Sequence, residues 1–178
     1  GVRSSLVQVK KKGYVCAEHV EGRRAPYRRL GEAPKKKQVL TPYQKRAVEE
    51  IVSALSADEG RYLLHGITGS GKTEVYLRAI QAAIESGKGC IMLVPEISLT
   101  PQMVAKFQQT FGSRVAVLHS GLSMGEQLDE WKRMKRGEAD IVVGTRSAVF
   151  APLNNIGLII MDEEGEYSYK SENAPRYH

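Results

Sequence analysis

Residues Gly66-Ile67-Thr68-Gly69-Ser70-Gly71-Lys72-Thr73 follow the spacing G-x-x-x-x-G-K-T, and this stretch limits the possible folds of the chain more than any other. A loop of this kind holds phosphate only where a strand feeds it and a helix leaves it. The apolar run Tyr62-Leu63-Leu64-His65 predicts a buried strand over 61–65, and Lys72 to Ser86 carries Val75, Ala79, Ala82 and Ala83 at helical spacing before Gly87 stops it. Gly66, Gly69 and Gly71, with Thr68 and Ser70 between them, would bring backbone N–H groups up to the phosphates, and the helix N-terminus would add a positive partial charge. In such a loop Lys72 reaches the β- and γ-phosphates of ATP, and the Thr73 hydroxyl is a ligand of Mg²⁺.

The partner expected of this loop is an acidic residue at the end of a neighbouring strand. Leu158-Ile159-Ile160-Met161-Asp162-Glu163-Glu164 supplies one, because a continuous apolar run reads as a parallel strand covered on both faces. Asp162 would hold Mg²⁺ and Glu163 would polarise the attacking water, which makes Lys72, Asp162 and Glu163 the candidate catalytic residues. A nucleotide kinase needs no second acid at this point, so the pair favours ATP hydrolysis.

Charge is unevenly spread. Residues 1–46 hold 13 of the 26 basic residues but 3 of the 20 acids, which leaves 13 basic against 17 acidic residues in the remainder. Basic charge confined to one end, with no apolar helical face beside it, points to nucleic acid rather than a membrane surface. No apolar run approaches the ~20 residues of a membrane span, and the polar, basic first residues do not read as a signal peptide. Only Cys16 and Cys90 are present, without C-x-x-C spacing, so neither zinc nor a disulfide is expected in this chain and a reducing cytoplasm is the natural setting.

Glu32-Ala33-Pro34-Lys35-Lys36-Lys37 reads as a linker within 32–40, and Thr41-Pro42 then opens a helix with Val48, Ile51, Val52 and Leu55 as its apolar stripe. Beyond Arg61, strands expected at 61–65, 90–94, 115–118, 140–144 and 158–162 alternate with helices at 72–86, 101–111 and 124–136. Ser123 and Glu126 make a capping box for the last helix. This order predicts an α/β fold: a doubly wound parallel sheet flanked by helices, with nucleotide at the carboxyl ends of the strands. Trp131, on a helix with Leu128, is expected in the core rather than as a stacking platform, and His119 in a turn or lining the strand track rather than as a general base.

The segments Leu40-Thr41-Pro42-Tyr43-Gln44, Val94-Pro95-Glu96-Ile97-Ser98-Leu99-Thr100 and Gly144-Thr145-Arg146-Ser147-Ala148 stand in order around the phosphate loop and the acidic strand. In that order they resemble the first RecA-like lobe of superfamily-2 helicases. His119-Ser120-Gly121-Leu122 and Ser168-Tyr169-Lys170 narrow the resemblance to the PriA family of bacterial replication-restart helicases, over 41–178. Residues 1–31 resemble, more weakly, the C-terminal part of the winged-helix-like domain that precedes the motor.

The resemblance implies a 3′-to-5′ DNA helicase that acts on single-stranded and forked DNA with primosome and single-stranded-DNA-binding proteins. It assigns Gln44 to adenine recognition, and Pro95, Glu96, Ser98, Thr145 and Arg146 to the single-strand track. Thr145 has a plainer alternative as the end of a strand. Tyr169 and Lys170 would belong to an aromatic-rich loop that stacks on bases, although for a chain of this extent the favoured expectation is a disordered tail over 167–178 whose tyrosines pack nowhere. The family's zinc cysteines and the second lobe, with its arginine fingers, would lie beyond His178, so a chain of this extent is expected to bind Mg-ATP without unwinding DNA. Gly165 stands where the family pattern D-E-E-H has histidine, which leaves open a DNA-binding scaffold with a weakened motor.

Overall fold

The computed structural model describes residues 39–57 and 60–170. Residues 1–31, expected above to be winged-helix-like, most of the expected linker, Cys16 and the end of the tail lie outside the described residues. The elements run α1 (Pro42–Ala57), α2 (Lys72–Glu85), β1 (Gly89–Leu93), α3 (Pro101–Phe111), β2 (Val115–Leu118), α4 (Met124–Lys135), β3 (Ile141–Gly144) and β4 (Ile156–Met161). The four strands form one sheet in the order β2-β3-β1-β4, and every pairing is parallel.

Helix starts follow their side-chain signals. The Thr100 hydroxyl accepts the Met103 N–H with Pro101 in the first turn of α3, and Ser123 and Glu126 form the reciprocal box at α4. Thr41 and Gln44 make a similar box at α1: the Gln44 N–H donates to Thr41 Oγ1 and the Thr41 N–H to Gln44 Oε1.

Strand alternation divides the core into two layers. Cys90, Met92 and Val94 meet Ile80 and Ile84 of α2 and Val104 and Phe107 of α3 on one face. Ile91 and Leu93 meet Met134, Ala148 and Tyr169 on the other. Each fully buried Ile, Val or Phe contributes roughly 1.5–3 kcal/mol from burial. Burial also raises the Cys90 thiol well above its ordinary pKa, so this cysteine is a core residue with no reactive thiolate.

Three expectations are corrected. Residues 61–65 form no strand, because no sheet edge comes within pairing reach: a cleft of 1270 Å³ separates them from β4. For the same reason β4 is not covered on both faces. It is an edge strand whose Ile159 is 56% exposed. Leu128 and Trp131 point to solvent, and Lys135 lies over the indole. The inner side of α4 carries Met134 and a buried ion pair of Glu130 with Arg133 instead. Glu130 accepts the Val117 N–H and Arg133 donates to the Val115 carbonyl, so the pair satisfies the outer edge of β2.

Gly144 sits where β2, β3 and the following turn meet. A Cβ there would collide with the Leu118 carbonyl oxygen and lie 2.7 Å from Ala148 Cβ. Gly144→Ala is therefore expected to cost about 1–3 kcal/mol and to lower the melting temperature by roughly 5 °C, as followed by calorimetry. An unchanged melting temperature would show that this junction yields without strain.

Candidate nucleotide and DNA site

The sheet register brings three strand ends level, since Leu93 pairs with Gly144 on one side and Met161 on the other. Pro95, Thr145 and Asp162 therefore leave the sheet at the same end, and the Asp162 N–H donates to the Leu93 carbonyl at 2.9 Å. Carboxyl ends of parallel strands are where ligands bind in open α/β sheets.

The phosphate loop enters α2 through Gly71, whose φ of 83° is left-handed and suits glycine. No side chain caps this helix start, so its first N–H groups remain open to an anion. A Cβ on Gly71 would also run into Gln44 Nε2, so the glycine admits Gln44 against the loop. Gln44 donates to the Ser70 carbonyl at 3.1 Å while its Oε1 accepts from Thr41. One N–H and one lone pair of the amide remain, the donor–acceptor pair an adenine edge needs. Lys72 folds back on the loop and donates to the Gly66 carbonyl at 2.7 Å and to that of Ile67 at 3.3 Å.

Across from the loop, Asp162 Oδ1 accepts a hydrogen bond from the Tyr76 hydroxyl at 2.9 Å, which joins α2 to the end of β4. Thr73 lies one turn before Tyr76 on α2, the i,i+3 spacing that puts two residues on neighbouring positions of one helix face. Among the described residues no three acidic, His or Cys side chains converge into a cage for a metal ion. A hydroxyl and a carboxylate fit Mg²⁺, which takes few protein ligands and completes its octahedron with phosphate oxygens and water. Glu163 follows with φ of 50°, an uncommon conformation for this residue, and its Oε2 accepts from Ser98 Oγ at 3.3 Å.

The DNA-side candidates separate by exposure. Glu96 and Lys170 are exposed, and Ser98 and Arg146 are half-buried. Pro95 is buried and lies two residues past β1, and Thr145 is 2% exposed in the position that follows β3 and opens the next turn. Tyr169 is also corrected. It is 2% exposed, packs under β1 and β3, and donates its hydroxyl to the Asp162 carbonyl at 2.7 Å. Burial and the nearby Asp162 charge raise its pKa. The tail is thus packed as far as Lys170, and Tyr167 is the exposed ring, with Lys170 Nζ 5.0 Å from its centroid. Arg146 donates to the carbonyls of Ser168 and Lys170, tying the turn after β3 to the turn after β4.

Sequence reasoning missed Tyr76, Tyr167 and the Ser98–Glu163 contact. Tyr76 carried a usable signal, a hydroxyl one turn past Thr73 on the same helix face. His119 sits in a turn, where its Nδ1 accepts the Gly121 N–H, and burial lowers its pKa. A Cβ on Gly165 would meet nothing within 4 Å, so the space for a side chain is open.

Residues 37–176 match the family described as "Type III restriction enzyme, res subunit". The chain is 52% identical over 169 residues to the replication restart protein PriA of Bacillus subtilis, a match covering 94% of this chain and 21% of that protein. It is 44% identical over 179 residues to PriA of Synechocystis, with 98% of this chain and 21% of the relative covered. To PriA of Treponema pallidum it is 49% identical over 139 residues, again with 21% of the relative covered. The chain thus spans about a fifth of the length of these relatives.

Proposed function

This chain belongs to the helicase-type family described as "Type III restriction enzyme, res subunit" and, within it, to the replication restart proteins PriA, and from that premise we propose that it is the nucleotide-binding lobe of an ATP-driven DNA motor. The whole protein would hydrolyse ATP to move 3′ to 5′ on single-stranded DNA at stalled forks. Its partners would be primosome and single-stranded-DNA-binding proteins in the cytoplasm. No helix among the described residues is long and apolar enough to cross a membrane. The observation that carries the reading is the hydrogen bond from Tyr76 to Asp162, which ties the phosphate-loop helix to the acidic turn at one end of the sheet.

The loop N–H groups and the α2 N-terminus would cradle the phosphates. Lys72 would exchange the Gly66 and Ile67 carbonyls for β- and γ-phosphate oxygens. Thr73 and Asp162 would hold Mg²⁺, which when bound neutralises charge on those oxygens. Glu163 would leave Ser98 to orient the attacking water, and Gln44 would read adenine with its spare donor and acceptor. Ser98, Arg146, Lys170 and the exposed ring of Tyr167 would meet the single strand, phosphate by charge and a base by stacking. A second lobe would supply the arginines that complete the transition state.

The scaffold alternative rests on Gly165. The deciding experiment compares ATP turnover of the complete protein with and without single-stranded DNA, and unwinding of duplexes with 3′ or 5′ tails. Turnover stimulated by DNA, with unwinding of one polarity, is the expected result. Phosphate transfer to a small acceptor, or turnover indifferent to DNA, would overturn the reading.

A further inference from the structure

We propose that Tyr76 is the positioning residue for the Mg²⁺-binding carboxylate of Asp162. The inference rests on the nucleotide-binding reading above and adds a residue to it. Asp162 follows an edge strand with an open cleft beside it, so the sheet confines its side chain less than it would on an inner strand. Its backbone is fixed at both ends, through the Leu93 carbonyl and the Tyr169 hydroxyl. Neither bond orients the carboxylate. Tyr76 does, by donating to Oδ1 at 2.9 Å.

The donor is itself held. Tyr76 is 8% exposed and packs in the same core layer as Leu77, Ile80 and Met92, so its ring is locked and its hydroxyl has a fixed position. A carboxylate oxygen only accepts and the phenol hydroxyl can donate, so Tyr76 holds Oδ1 as the donor of this hydrogen bond. With Oδ1 engaged, the carboxylate presents Oδ2 in one direction. The same helix carries Thr73, so α2 sets both proposed protein contacts to Mg²⁺ on one rigid element. Such support of a ligand by a hydrogen bond commonly changes metal affinity by 10–100-fold.

The test uses the complete protein, a fluorescent ADP analogue and Mg²⁺ titrated from a chelated start. Tyr76→Phe keeps the ring and removes the donor. It is expected to raise the Mg²⁺ concentration at half-maximal nucleotide binding by about tenfold, with binding in excess EDTA unchanged. Tyr169→Phe removes a bond to the Asp162 peptide rather than its carboxylate. It should lower the melting temperature and leave the Mg²⁺ midpoint where it was. An unchanged midpoint in Tyr76→Phe, or an equal loss of binding in EDTA, would overturn the assignment. Wild-type protein that binds nucleotide without regard to Mg²⁺ would instead overturn the functional reading, and this inference with it.

Discussion

Lys72→Ala is expected to lower ATP turnover of the complete protein by about 10²–10³-fold, the scale seen when one preorganised donor to developing charge is lost. In the free loop Lys72 already satisfies the Gly66 and Ile67 carbonyls. Alanine therefore removes a brace from the empty loop as well as a cation from the bound phosphates, and nucleotide affinity should fall together with turnover. The fold should persist, because α2 is held by Val75, Ile80 and Ala83, which the substitution does not touch. Nucleotide binding by fluorescence and turnover by phosphate release check both parts. Equal activity in the variant would move the chain to the scaffold alternative.

Glu163→Gln separates binding from chemistry. Glutamine keeps the shape and can still accept from Ser98, so nucleotide affinity should stay within about twofold of wild type, since an exposed neutral hydrogen bond contributes little net energy. Turnover should fall by roughly 10²–10⁴-fold, the usual contribution of a positioned general base. Single-turnover hydrolysis beside equilibrium binding distinguishes the two effects. A variant that still turns over at the wild-type rate would remove Glu163 from the proposed chemistry. Loss of affinity in parallel would place it in nucleotide binding.

The contrast between what was legible and what was not follows the range of the interactions involved. Thr41, Thr100, Ser123 and Gly87 mark helix ends through bonds to residues three or four away, and such signals are complete within a short window of sequence. The phosphate loop is equally local. Residues 61–65 have the composition of a strand, but a strand exists only where another edge accepts its hydrogen bonds, and no pattern within the segment reports that. The apolar run of β4 looked doubly covered for the same reason. Leu128 and Trp131 looked like core, yet α4 turns its charged Glu130–Arg133 pair inward to satisfy β2. Tyr169 and Thr145 were legible as residues near the site but not as buried ones, since burial depends on what packs over the turns after β3 and β4.

Glu163 has a consequence for anyone who would engineer this protein. Left-handed backbone suits glycine or asparagine, and a glutamate held at φ of 50° costs on the order of 1 kcal/mol. A redesign guided by stability alone would select Glu163→Gly and gain a tougher protein. The same substitution would discard the proposed base, so at this position thermal robustness and turnover pull in opposite directions.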